Sequence, residues 1–377
     1  MDVKKIKEKH KNKEKKMAKK DQLLGWDVSP YTAKVGSYFN YKNIPYDYKP
    51  PNAHTLFRKV QPAVGKMIMP TVFRPDGTVL QDSSLIIDVY DMENPNKPVF
   101  PDTPKQAFAS MLLELFADEW LPMASLHYRW NYKGNLKFII GEFGKNALPY
   151  FPGFVQRTVA KKFAGKMSGY LPILGITKKM EPKLEVAVEN ILSLLDKHFQ
   201  ACKFLLDGQP TIGDFALYGQ LYAHLHRDPE PVDLIRKYDH LYTWLMAMHG
   251  SFDQPLEALP SNDEIPETLM PILQTMASLQ VPLLEQSIQG MKAWAEQNPE
   301  KNRIPPRFGD TTLTIEGESE TRYNLSYPYW MVQRIKQRVG EPSTELQEFM
   351  QELGLASVFS EALPVKVGLK RARLYKS

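Results

Sequence analysis

The chain of 377 residues has a single cysteine, Cys202. One cysteine excludes an intramolecular disulfide framework and fits a reducing compartment, so a cytoplasmic location is expected. No uninterrupted apolar run is long enough to span a bilayer, so no membrane span is expected. The first twenty residues lack the apolar segment of a secretory signal. No repeat recurs at solenoid spacing. Charge for nucleic acid is also scarce outside those twenty residues, which hold ten lysines against Asp2, Glu8 and Glu14 and so leave the rest of the chain at −2. A lysine run without interleaved aromatics reads as a solvated, disordered tail over residues 1–20. It could touch RNA or acidic lipid without specificity, and no specific nucleic-acid partner is expected. His224 and His226 do not share a helix face, so they read as surface histidines and no metal site is expected. Cys202, beside Phe204 and Leu205, reads as a buried small hydrophobe. Lys161, Lys162, Lys166, Lys178 and Lys179 read as a solvated face.

What is present has a clear order. LLGWDVS (23–29) reads as a strand and PYTAKVGSYFNYKN (30–43) as a helix, with Tyr31, Val35, Tyr38 and Phe39 at helical spacing. IPYDYKP (44–50) supplies a second strand, and a helix is expected through 53–62. MPTVF (69–73) and TVLQD (78–82) flank an R-P-D-G turn. SSLIIDVYDM (83–92) is a helix capped by Asp82 or Ser83. This β-α-β then β-β-α order predicts an α+β fold with a thioredoxin-like domain over 21–92. Four prolines in 93–104 mark a linker. A mostly helical domain over 105–260 follows. It comprises a long helix over 105–130 interrupted at Pro122, an irregular stretch over 131–180, and helices over 182–200, 211–226 and 237–250. Thr211 and Asp214 are spaced as a capping box. Residues 261–377 are expected to add helix, one hairpin over 311–325 and a basic end.

Three features fall where the thioredoxin-like plan places a thiol site. Ser29-Pro30-Tyr31 lies between strand and helix. Ser29 caps the helix there, and its hydroxyl stands at the positive end of the helix dipole, where a thiolate is favoured. Met69-Pro70 opens a strand, and a cis bond at that point would turn the backbone N–H and C=O of Met69 toward a ligand, as an added strand requires. Asp82 and Ser83 open the third helix. A carboxylate beside free helix N–H groups matches the ammonium and carboxylate of an α-amino acid head. Trp120, Tyr128, Arg129 and Trp130 lie on the long helix that would border a second-substrate pocket, or else pack the core.

SPYTAKVGSYFNYKNIPYDY, MPTVF and DGTVLQDSSLI resemble the glutathione-binding domain of cytosolic glutathione transferases. FLLDGQPTIGDFALYGQLYAHL resembles the sixth-helix region of their all-helical second domain, and the likeness runs from residue 21 to about 250. The RDP and YPYW stretches resemble a long bacterial branch of that superfamily. The resemblance implies glutathione as substrate, a small hydrophobic electrophile as second substrate, and a homodimer. It implies that Ser29 contacts the glutathione sulfur and that Met69, before a cis Pro70, pairs with the cysteinyl backbone. Asp82 and Ser83 would hold the γ-glutamyl head, with Gln81 beside them. Tyr31, Trp120, Tyr128 and Arg129 would border the second-substrate pocket. Serine at position 29 in place of cysteine favours thiolate stabilisation over a mixed disulfide. The approach to the proline, GKMIMP (65–70), is two residues longer than the family's, and His54, Arg58 and Lys66 remain candidates for the glycyl carboxylate. The function implied is conjugation of glutathione to hydrophobic electrophiles or a related thiol reaction. The alternative is a noncatalytic binding or scaffold protein on the same fold.

Overall fold

The computed structural model describes residues 20–230, 232–250, 252 and 256–377. The lysine-rich residues 1–19 lie outside the described residues. A four-stranded sheet of order β2-β1-β3-β4 is formed by β1 (Asp21–Leu24), β2 (Tyr46–Lys49), β3 (Thr71–Phe73) and β4 (Val79–Gln81). β1 runs parallel to β2 and antiparallel to β3, and β3 pairs antiparallel with β4. α1 (Pro30–Tyr41) begins where Ser29 accepts a hydrogen bond from the Thr32 N–H and Pro30 occupies the first turn. Its Val35, Tyr38 and Phe39 are buried, as their spacing requires, with Tyr38 edge-on to Phe215 and Phe39 against Tyr46 and Tyr90. Helical turns over 53–64 lead to the strand pair, and α2 (Ser83–Glu93) follows β4.

α3 (Pro104–Leu115) continues through a π-helical turn, Phe116–Trp120, into α4 (Leu121–Asn131). The expected interruption at Pro122 does not occur. The wider turn just before the proline accommodates its ring and missing donor, so the helix carries on. The expected irregular stretch over 131–180 is also corrected. It contains α5 (Lys133–Ala147) and α6 (Gly153–Ser168), packed on each other. Each buries few side chains, so the apolar periodicity that announces a helix is weak there. α7 (Met180–Ala201), α8 (Ile212–Gln220, running on as a π-helical turn to His226) and α9 (Asp239–His249) complete this helical region. Thr211 and Asp214 form the capping box that opens α8. At Gly219 a Cβ would stand 2.5 Å from the Pro30 carbonyl oxygen. Only glycine lets α8 come that close, and the contact seats the N-terminal turn of α1.

Beyond residue 256 the chain folds back over the rest. α10 (Met270–Gln297) packs on the hairpin of β5 (Arg307–Ile315) and β6 (Glu318–Leu325). α11 (Tyr327–Val339) packs on α3 and buries Tyr329, Trp330, Val332 and Ile335. α12 (Thr344–Glu352) follows, and the expected basic end is a second hairpin, β7 (Val367–Lys370) with β8 (Arg373–Lys376). Its two-residue turn, Arg371-Ala372, has both φ values positive, at 50° and 56°. Asn or Gly would signal such a turn, and their absence hid the hairpin in the sequence.

Candidate functional site

A cavity of about 300 Å³ opens where the sheet domain, the α3–α4 helix and the C-terminal segment meet. From the sheet domain it is lined by Tyr31, Met69, Pro70, Gln81, Asp82 and Ser83, with Lys66 at its edge. The Met69-Pro70 bond is cis. Ser83 is the first residue of α2, and its hydroxyl and N–H face helix-terminal space with the favourable end of the dipole. Five of the six residues expected to meet glutathione or its thiol therefore share one wall. The sixth, Ser29, is not among the lining residues. Its oxygen accepts from Thr32 N–H at 3.3 Å, and its own hydrogen has no acceptor among the described residues.

Asp82 holds the strained corner of this wall. Its φ of 89° lies in the region that non-glycine residues avoid, and such strain gathers at ligand sites. Its Oδ1 accepts from the Ser84 and Leu85 N–H groups at 3.0 and 3.1 Å. Its Oδ2 accepts from the Tyr327 hydroxyl, which α11 delivers from 245 residues away. Asp82 is thus largely engaged by the protein itself.

The other carboxylates at this end are less committed. Asp118 and Glu119, on the π-helical turn, both line the cavity. Asp118 Oδ2 pairs with the buried Lys34 ammonium at 2.6 Å, while its Oδ1, also buried, has no partner. Glu119 has no hydrogen-bonding or ionic partner among the described residues. Burial, then the charges of Asp118 and Asp82, push its pKa well above the ordinary carboxylate value. Burial likewise raises Asp118 against the pull of Lys34. Behind them Lys34 also meets Glu114 at 2.7 Å, and Arg334 of α11 clamps Glu114 at 3.0 Å and Asp88 at 2.7 Å. One buried network thus ties α1, α2, α3 and α11 together. Lys66 sits in the opposite setting. Partial burial, then the neighbouring Arg373 and Arg303, lower its pKa, and it is the clustering of the three basic side chains, not that shift, that makes this edge cationic.

The remaining expectations separate cleanly. Tyr31 lines the cavity, and burial, first of all, keeps its phenol protonated while its hydroxyl donates to the Asp118 carbonyl oxygen at 3.1 Å. Trp120 borders only a crevice of about 20 Å³, with Glu119 and Arg322. Tyr128 and Arg129 are outside the cavity wall. Tyr128 is core, and Arg129 is buried against Asp228, the Val28 carbonyl and the Ala223 carbonyl at 2.6–3.0 Å. Their helix face is closed over by the helical region, which spacing alone did not show. Of the three cations considered for a carboxylate, Lys66 lines the cavity and His54 and Arg58 do not. His224 is buried, not superficial, and desolvation lowers its pKa well below the usual value. Cys202 is only partly buried, its sulfur 3.8 Å from the Thr268 hydroxyl. Asp118, Glu119, Tyr327, Leu369 and Ala372 were not singled out as site residues in the sequence. The one signal was a pair of adjacent carboxylates, FADEW, in the middle of a long helix whose flanking turns are largely apolar. Among the described residues no cluster of three or more His, Cys, Asp or Glu is placed to hold a metal. No described helix is long and apolar enough to cross a membrane.

Comparison with known proteins adds an independent line. Residues 23–98 match the glutathione S-transferase N-terminal domain, and residues 150–251 match the glutathione S-transferase C-terminal domain. Glutathione S-transferase U4 of Arabidopsis thaliana is 29% identical over 167 residues, 42% of this chain and 70% of that protein. Glutathione S-transferase U2 of the same plant is 28% identical over the same shares. A crystal structure of a glutathione S-transferase of Ceriporiopsis subvermispora in complex with glutathione superposes with a TM-score of 0.43 at 15% identity. It covers 62% of this chain and 98% of that one, a likeness too loose to bear on function. Both domain matches end before α10, so Tyr327, Leu369 and Ala372 enter the cavity from outside them.

Proposed function

The chain belongs to the glutathione S-transferase superfamily, and we propose that its cavity binds glutathione and delivers the thiol to a small hydrophobic electrophile. The observation that carries this reading is that one cavity offers a lysine, Lys66, together with the carboxyl groups of Asp82, Asp118 and Glu119, the last favouring its protonated form until a cation arrives. Glutathione is polarised the same way, with a lone carboxylate at its glycyl end and an ammonium at its γ-glutamyl end. Lys66 takes the glycyl carboxylate. The cysteinyl backbone pairs with Met69 as an added strand. The γ-glutamyl carboxylate meets the Ser83 hydroxyl and N–H at the start of α2. The ammonium goes to Glu119, the uncommitted carboxylate, because Asp82 is occupied by Ser84, Leu85 and Tyr327.

In this pose the sulfur points to the N-terminal turn of α1. The helix dipole and the free Ser29 hydroxyl hydrogen favour the thiolate. The thiol proton leaves to solvent, and the sulfur lone pair forms the new bond to the electrophilic carbon as the leaving group departs. Tyr31, Ile68 and Leu369 give that carbon an apolar rim. A cytoplasmic homodimer accompanies this reading, on the resemblance and the single cysteine alone. A binding-only role is the second reading, favoured by the absence of Ser29 from the cavity wall. Retention on immobilised glutathione, followed by turnover across electrophile classes, separates the two. Failure to bind glutathione at all would remove both.

A further inference from the structure

α6 is amphipathic in the wrong sense for a core helix. It turns Ala160 and Ala164 inward and leaves its large apolar side chains outside. Phe154 is 67% exposed, and Val159 and Phe163 are 45% exposed each. The connection from α5 continues this face, with Tyr150 at 90% and Phe151 at 53%. The hairpin is nonetheless well built. At Gly144 of α5 a Cβ would meet the Gln156 backbone at 3.1 Å, so the two helices touch closely. Gln156 Nε2 donates to the Leu148 and Phe151 carbonyls, both at 3.0 Å, and fixes the aromatic connection. These aromatics are therefore held outward by design of the backbone. Contiguous exposed apolar surface of this kind marks an interaction site.

Charge identifies the occupant. Residues 143–180 contain seven Lys or Arg and no Asp or Glu. On α6, Val159 and Phe163 are one turn apart, as are Lys162 and Lys166, so an apolar stripe runs beside a cationic one. Lys145 and Lys178 pair with Glu142 and Glu181, but Arg157, Lys161, Lys162 and Lys166 on α6 have no acidic partner among the described residues, and they disfavour a second copy of the chain, which would bring the same charges opposite. Aromatic side chains flanked by lysines suit the headgroup level of a bilayer, where the ring enters and the ammonium meets lipid phosphate. Val159 extends the same face with a side chain that stacks on no base, which favours lipid over single-stranded nucleic acid.

We propose that the α5–α6 hairpin docks this protein peripherally on anionic membrane surfaces, inserting Tyr150, Phe151 and Phe154 at headgroup depth while Lys161, Lys162 and Lys166 engage lipid phosphates. The docking is independent of glutathione. It needs no spanning helix.

Vesicle co-sedimentation of the full chain tests it, with phosphatidylcholine vesicles compared against vesicles mixed with phosphatidylglycerol. The wild type is expected to favour the anionic vesicles and to release as salt rises. Y150S/F151S/F154S together should lower partitioning roughly tenfold or more. K161Q/K162Q/K166Q should weaken the anionic preference several-fold, down to what the tail alone supplies. Both variants should keep the wild-type melting temperature and glutathione retention, since every changed side chain is exposed. The lysine-rich tail is common to all three proteins, so variants that bind like the wild type assign the binding to the tail and overturn the proposal. A wild type that ignores vesicles but shifts a single-stranded oligonucleotide overturns it in favour of nucleic acid.

Discussion

Replacing Glu119 by Gln should weaken glutathione binding and stabilise the protein at the same time. The carboxylate lines the cavity without a partner, and burial with the charges of Asp118 and Asp82 raises its pKa well above the usual value. A charge-assisted hydrogen bond contributes about 1.5–3 kcal/mol, so the amide should cost roughly 10- to 150-fold in affinity. The ligand ammonium requires the ionised carboxylate. Below the raised pKa of the free protein, binding must therefore expel a proton, and affinity should climb with pH up to that value and flatten above it. Stability runs the other way. A carboxyl whose folded pKa exceeds its unfolded value weakens folding as pH rises from the unfolded toward the folded pKa, by about 1.4 kcal/mol per unit of difference. Gln removes that cost, so the variant should melt higher near neutral pH. Arg322 does not depend on Glu119 for contact, since it donates to the Tyr323 carbonyl and the Met123 sulfur. Isothermal calorimetry in buffers of different ionisation enthalpy reads affinity and proton release together. A glutathione analogue lacking the amino group closes the cycle, because it should bind the wild type as weakly as glutathione binds the variant. Losses that add in the variant–analogue pair, or an unchanged affinity for glutathione, would refute the assignment of the ammonium to Glu119.

Lys34→Met should cost about 3–5 kcal/mol in urea unfolding, because it strands the buried Asp118 beside Glu114. Asp118 already titrates high, and its pKa should rise further without Lys34. The loss should therefore grow as pH rises through the neutral range and shrink in acid, and a pH-independent loss would contradict the network. Ser29→Gly should keep the helix cap and shift the thiolate absorbance of bound glutathione to higher pH. Tyr31→Phe should leave that absorbance in place, since the Tyr31 hydrogen is given to the Asp118 carbonyl; the reverse result would exchange their roles. Asp214→Ala should lower stability by about 2–4 kcal/mol, because its carboxylate accepts from Thr211 N–H and hydroxyl, Leu205 N–H and Trp244. Thermal unfolding checks this, and a shift within error would mean those donors find other acceptors.

Local chemistry in the sequence was enough for whatever depends on neighbours a few residues apart. Ser29-Pro30, Asp82-Ser83 and Thr211 with Asp214 each mark a helix start, because a cap is satisfied within one turn of the chain. The strand pair around R-P-D-G and the hairpin at 311–325 were legible for the same reason. Once those starts stood in order, Met69, Pro70, Asp82 and Ser83 could be assembled into one wall. Tertiary structure decided what that wall faces. Glu119 and Asp118 look like any acidic pair on a long helix until burial in the folded chain gives them an unusual charge state. Tyr327 reaches Asp82 across 245 residues, and Arg334 reaches Glu114 across 220, distances at which no periodicity carries information. Pro122 looks like a break in the sequence because the remedy, a π-helical turn, is set by how the helix packs. For Tyr128 and Arg129 the sequence leaves pocket and core both open, because spacing tells which residues share a face, not which neighbour covers it. Backbone hydrogen bonds and caps are written over a few residues, whereas burial and charge environment are sums over the whole fold, and only the folded chain performs that sum.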